Sequence, residues 1–185
     1  MDRLSPKRYH NSMTEKKFQQ YAAFLMILAA VLIRVLPHPA NFTPLTALAL
    51  FSGAVLSPGL ALTVPVAAMI ASDLVLGAHP LFWLTWGCFV LTVPIGFWVR
   101  RRSGIFRIAA GTLAGSLFFF ILTNLGVFLF QDMYPKNSAG LAECYAMALP
   151  FFRNSFLGDI FYAAVFFGVW NLAAKYSRKF SGEKA

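Results

Sequence analysis

The sequence predicts an all-α, polytopic membrane bundle of about six transmembrane helices in one domain. Of its 185 residues, 58% are hydrophobic and only 12% are charged, too few charges to wet the surface of a soluble domain of this size. The apolar residues fall in runs close to the roughly 20 that cross a bilayer as a helix. The basic residues are clustered between those runs. Arg3, Lys7, Arg8, Lys16 and Lys17 precede the first run, Arg100, Arg101, Arg102 and Arg107 flank one turn, and Lys175, Arg178, Lys179 and Lys184 end the chain. Such clusters mark the cytoplasmic side of a membrane. The net charge of +9 is therefore read as topology, and no nucleic-acid partner is expected.

Residues 1–17 are polar and form a cytoplasmic N-terminal segment. Residues 18–36 form span 1, a retained first helix without a small-residue cleavage site. The stretch from Arg34 to Pro44 breaks the apolar pattern. Pro37, Pro39 and Pro44 forbid a continuous helix, while Arg34, His38, Asn41 and Thr43 bring hydrogen-bonding groups to the edge of a span. Residues 42–56 and 60–76 form spans 2 and 3 around the Ser57-Pro58-Gly59 turn. Both are short, and either tilt across or share a re-entrant hairpin. Residues 81–99 form span 4, entered through Gly77-Ala78-His79-Pro80, and 105–130 form span 5. Residues 131–149 make the longest loop, 150–154 lead in, and span 6 runs over about 155–175. The membrane domain is 18–176, and 177–185 form a basic cytoplasmic tail. Six spans put the three basic clusters on one side, and a re-entrant pair leaves that parity unchanged.

This topology gathers the unusual polar residues at the outer face. An ionisable residue inside a span costs on the order of a few kcal/mol and is usually paired or functional. Asp73 and Asp159 stand out, with Arg34 and Arg153 as partners at similar depth. Two readings stay open. In one, structural ion pairs hold helix ends together. In the other, an outward-facing cavity uses Arg34, His38, Asn41, Asp73, His79, Asn124, Tyr134, Arg153, Asn154 and Asp159. His38, His79 and Asp73 lack metal-ligand spacing, so no metal site is expected. Cys88, about two turns into span 4, is either a packing residue or a soft-metal ligand, and Cys144, in the outer loop, is the more exposed by position. No nucleotide-binding motif is present, and no cofactor is expected. Ala22, Ala23, Ala29 and Ala30 on span 1, and Ala109, Ala110, Gly111, Ala114 and Gly115 on span 5, make flat faces for helix packing or for another membrane subunit. The phenylalanines around 118–120 and 151–152 pack or face lipid, with a few lining a pocket for a flat ligand.

His38-Pro-Ala-Asn-Phe-Thr-Pro44, Ala47-Leu-Ala-Leu-Phe-Ser-Gly-Ala54, Ser72-Asp73 and Gly77-Ala-His79 resemble an uncharacterised bacterial membrane family. Thr123-Asn124-Leu-Gly126, Tyr134-Pro135, Cys144-Tyr145, Pro150-Phe-Phe-Arg-Asn154 and Gly158-Asp159 resemble its later blocks, so the likeness spans about 34–168. More distantly, the size and six-span layout with both termini inside are similar to the substrate-binding S components of energy-coupling-factor (ECF) vitamin transporters. That resemblance implies capture of a vitamin, a precursor or a metal complex near the outer face of a bacterial plasma membrane. It also implies docking on a transmembrane coupling subunit with two ATPases, through small residues on the first helix. The alanines of span 1 do not fall on every fourth position, a departure from that pattern. In a solitary, cobalamin-like version, Cys88 would be the cobalt ligand.

The reading favoured at this point is a transport-associated substrate-binding protein, with ligand contacting the 34–44 loop and enclosed by residues 131–154. The alternatives are a structural or assembly subunit of a larger membrane complex, and a small intramembrane enzyme. A transporter needs a ligand-sized cavity. An enzyme would place His38 within hydrogen-bond reach of Asp73 or Asp159.

Overall fold

The computed structural model describes residues 13–102 and 104–180. It holds six helices: α1 (Met13–Val35), α2 (Leu45–Val55), α3 (Pro58–Leu76), α4 (Phe82–Arg100), α5 (Ile105–Phe130) and α6 (Ser138–Phe180). No strand occurs among the described residues, as the sequence predicts. α3, α4, α5 and the Ser138–Ala173 part of α6 are each long and apolar enough to cross a membrane. The chain is a membrane protein. Arg3, Lys7, Arg8, Lys184 and most of the expected N-terminal segment lie outside the described residues.

The bundle is built around its shortest helix. α2 has 11 residues, about 16 Å at 1.5 Å per residue, roughly half the thickness of a bilayer core. Every residue from Leu45 to Gly53 is buried, and the helix packs against all five others. Its sequence, LTALALFSGAV, is apolar all round, which suits a helix with no exposed face. One side, with Leu48 and Ala49, meets Ala30, Val64, Met69, Phe89 and Val93. The other, with Ala47, Leu50 and Phe51, meets Val99, Tyr162, Ala163 and Phe167. α4 comes closest: a Cβ on Gly53 would run into the Val93 carbonyl, and one on Gly96 into the Leu50 carbonyl. Glycine at both positions lets the two backbones touch.

The expected second pass is non-helical in its first half. The Asn154 side-chain amide donates to the Ala40 carbonyl at 3.1 Å. The Phe42 ring lies 5.5 Å from that of Tyr162, and its Cα lies against Gly158. Phe51 then meets Phe166, Phe167 and Trp170. Residues 40–51 thus descend alongside 154–170 of α6, a rise of about 24 Å. The upper half of this pass is the non-helical stretch 36–44, and the lower half is α2. This stretch is exposed as far as Asn41 and becomes buried only at Pro44. Here Pro37, Pro39 and Pro44 have no N–H to satisfy, the Phe42 N–H donates to the Pro39 carbonyl at 3.0 Å, and Ala40 is answered by Asn154.

α6 corrects the expected 131–149 loop. Only 131–137 are non-helical, and 138–149 are the first turns of a 43-residue helix that continues through Pro150. Asn137 caps its start by accepting from the Gly140 N–H at 2.9 Å. The Lys136 ammonium closes the preceding helix on the carbonyls of Phe128 and Gln131. Cys144, expected to be exposed in that loop, is buried with its Sγ 3.4 Å from the Asn124 carbonyl.

Candidate functional site

The half-helix α2 is bracketed by charge. At its C-terminal end the Arg100 guanidinium donates to the carbonyls of Ala54 (3.2 Å), Gly53 and Leu56. At its N-terminal end the buried Asp159 carboxylate lies beside Thr46 and Ala47 of the first turn. It accepts from the Ser116 hydroxyl of α5, at 2.6 Å. A cation on the carbonyl end and an anion on the N–H end both favour the helix macrodipole. Arg100 also satisfies backbone groups that a buried helix end would otherwise leave bare.

Asp159 is also the floor of a cleft. A cavity of about 140 Å³ lies between α5, α6 and the unwound half of the second pass. Asn41, Ser116, Thr123, Asn124, Ser155 and Asp159 supply its polar lining. Phe119, Phe120, Phe151 and Phe152 supply most of the apolar lining, and the rings of Phe120 and Phe152 are 4.7 Å apart. Asn41 has a φ of 62°, a left-handed conformation that asparagine tolerates better than most residues, and it turns the chain at the rim. Three donors in the cleft are already committed. Thr123 donates to the Phe119 carbonyl at 2.7 Å, Asn124 Nδ2 to the Phe120 carbonyl at 2.8 Å, and Ser116 to Asp159.

A second polar cluster lies apart from this cleft. Arg34 Nη1 is 2.7 Å from Asp73 Oδ1 and also donates to the Ser72 hydroxyl, whose own proton goes to the Ala68 carbonyl. The Trp86 indole N–H donates to Asp73 Oδ2 at 2.9 Å. This cluster joins α1, α3 and α4. The Arg34 and Asp73 side chains are 15% and 5% exposed.

The ten expected site residues therefore do not share one cavity. Asn41, Asn124 and Asp159 line the cleft, while Arg34 and Asp73 form the ion pair expected of them. Arg153 does not pair with Asp159: its side chain is exposed, and Asp159 is answered by the Ser116 hydroxyl. Asn154 holds the Ala40 carbonyl beside the cleft. His38 is exposed, with Nδ1 2.7 Å from the Leu36 carbonyl rather than near either acid. The geometry required of an enzyme using His38 is therefore not met. His79 is exposed in the α3–α4 turn, 3.3 Å from the Thr85 hydroxyl. Tyr134 is half-buried in the 131–137 turn and does not line the cleft. Cys88 is buried, and among the described residues no three His, Cys, Asp or Glu side chains gather to hold a metal.

Ser116, Thr46 and Trp86 are participants that sequence reasoning passed over. Ser116 follows the small-residue run 109–115 and reads as packing. Thr46 lies in an apolar run, and Trp86 is one aromatic among many. Asp159, spaced one and a half turns from Asn154 on the same helix, was the signal that something had to answer a carboxylate at this depth.

No curated protein and no solved structure matches the chain. One family model does, over residues 14–181, which include α2, the cleft and both polar clusters. The chain belongs to this family, a family of unknown function designated DUF6580.

Proposed function

We propose that the protein is a substrate-binding membrane transport protein of the S-component-like kind, which captures a small molecule at the outer face for uptake. The observation that carries this reading is the cleft where the unwound half of the second pass meets the half-helix. Its walls are phenylalanine rings and its floor is a small set of convergent polar groups, the composition of a small-molecule site. Discontinuous helices with substrate at their break are a recurring device of transporters. Arg100, Arg101, Arg102 and Arg107 lie at the bundle end away from Arg34, so the positive-inside rule turns the cleft's half of the bundle outward and both termini inward. The membrane would be the bacterial plasma membrane, as the family resemblance implies.

The small-residue face of α1 turns Ala23 and Ala30 inward onto the core, so a coupling subunit would meet instead the exposed Ala109, Ala110 and Ala114 of α5. The test is mass spectrometry of small molecules that co-purify in mild detergent. A stoichiometric compound that is retained by the wild type and lost from Phe120→Ala supports the reading. A clean blank with a stoichiometric membrane-protein partner would replace it with the assembly-subunit reading.

A further inference from the structure

We propose that the cleft selects a small, single-ring organic cation: a protonated arylalkylamine or a positively charged heteroaromatic ring. The inference rests on the cleft being the ligand site and names the chemistry that site would take.

Three observations converge on it. The first is size. A cavity of about 140 Å³ is close to the volume that accommodates one benzene-sized ring. The second is charge. Asp159 is buried at the cleft floor, and among the described residues no lysine, arginine or histidine pairs with it. The N-terminus of α2 offers it only about half an elementary charge. Arg153, the nearest basic residue on α6, is exposed and does not face it. A cationic ligand would complete the neutralisation, and the surrounding phenylalanine faces attract the same charge.

The third is the polarity of the remaining hydrogen-bonding groups. The one hydroxyl proton of Ser116 is taken up between Asp159 at 2.6 Å and the Thr112 carbonyl at 2.9 Å, and that of Thr123 is spent on the Phe119 carbonyl. Asn124 spends one N–H on the Phe120 carbonyl, which fixes its amide so that Oδ1 points away from that carbonyl. The free capacity of these groups is therefore mostly lone pairs: Ser116 Oγ, Thr123 Oγ1, Asn124 Oδ1 and Asp159 itself. Asn41 and Ser155 bring N–H and O–H donors to the same lining, but the groups gathered around Asp159 reward a ligand that donates N–H bonds and disfavour negative charge.

The experiment uses the full chain purified in mild detergent and three probes of one shape: benzylamine (cation), benzyl alcohol (neutral) and benzoate (anion). Binding is measured by calorimetry at neutral pH. Benzylamine should bind on the order of ten-fold or more tighter than benzyl alcohol, with no binding of benzoate. Asp159→Asn should erase that preference, while Phe120→Ala should weaken both ligands together. If benzyl alcohol or benzoate binds as tightly as benzylamine, and Phe120→Ala weakens it, the cation inference is overturned and the cleft remains the ligand site. If none of the three binds, the cation inference is overturned, and the co-purification experiment alone decides the transport reading. Should Asp159→Asn not fold, the ranking of the three probes by the wild type decides alone.

Discussion

The Arg34–Asp73 pair gives the sharpest test of which polar groups are structural. Asp73→Asn keeps an acceptor for the Trp86 indole but leaves Arg34 facing a neutral amide. Breaking a buried pair by removing one partner costs about 3–5 kcal/mol. Arg34 is slightly exposed and keeps its bond to Ser72, so the lower end applies, about 3 kcal/mol. Arg34→Met strands the Asp73 carboxylate instead and should cost a similar amount, about 3 kcal/mol. The double variant strands no charge and still answers Trp86. It should lose only about 1–2 kcal/mol, well short of the roughly 6 kcal/mol that the singles would sum to. The assay is reversible unfolding in mixed detergent–dodecyl sulfate micelles, followed by tryptophan fluorescence. A double variant as unstable as the sum of the singles, within about 0.5 kcal/mol, would refute the reasoning. Folded Asp73→Asn should bind benzylamine as the wild type does, because neither member of the pair lines the cleft.

Other expectations follow from the packing of α2. Gly96→Ala would place a methyl against the Leu50 carbonyl and the Gly53 Cα, so it should lose about 1–3 kcal/mol and much of the folded yield. Gly87→Ala, on the same helix with open space at its Cβ, should be neutral or gain up to about 1 kcal/mol in the same assay. Arg100→Gln removes the cation from three carbonyls at the end of α2 and should destabilise by about 2–3 kcal/mol, a loss that Arg100→Lys only partly recovers. Arg153→Ala should leave both stability and probe affinity within error, since its exposed side chain neither pairs with Asp159 nor lines the cleft.

The helices whose ends carry strong punctuation were readable from the sequence. α5 begins after Gly104 and ends before Gln131, and α3 and α4 lie within two residues of their expected bounds because glycine and proline turns flank them. α2 was not readable as a half-helix. An apolar run looks the same whether lipid, protein or an extended segment covers it, and only tertiary contacts say which. The start of α6 was hidden by Pro150, which reads as a boundary although the helix passes through it. Asp73 and Asp159 announced themselves by charge at depth, and Arg34 as the partner of the first was inferable. The partner of the second is the Ser116 hydroxyl, a group too common along a chain to be singled out. Arg100 had a topological reading that concealed its structural one: the same guanidinium that marks a membrane face also closes the end of α2.

The broken second pass is the feature on which the functional reading turns, and it can be tested without any ligand. If residues 36–44 formed a surface loop above the bundle, Ala40 would have no fixed neighbour on α6. If they form the upper half of a crossing, Ala40 is held beside Asn154, because a side-chain amide of α6 reaches its carbonyl at 3.1 Å. Ala40→Cys with Asn154→Cys should then be joined rapidly by a short bis-thiol reagent in membranes. Ala40→Cys with Trp170→Cys should not, since Trp170 lies about 24 Å further along the same helix. Asn154→Cys removes the amide that answers Ala40, so the pair is tested beside Phe42→Cys with Phe161→Cys, whose rings are 6.0 Å apart. Linking of both near pairs and not the distant one fixes the extended segment against α6. It also fixes the cleft at the junction of the unwound and helical halves. Failure of both near pairs would move Asn41 away from Asp159 and dissolve the cleft as a site.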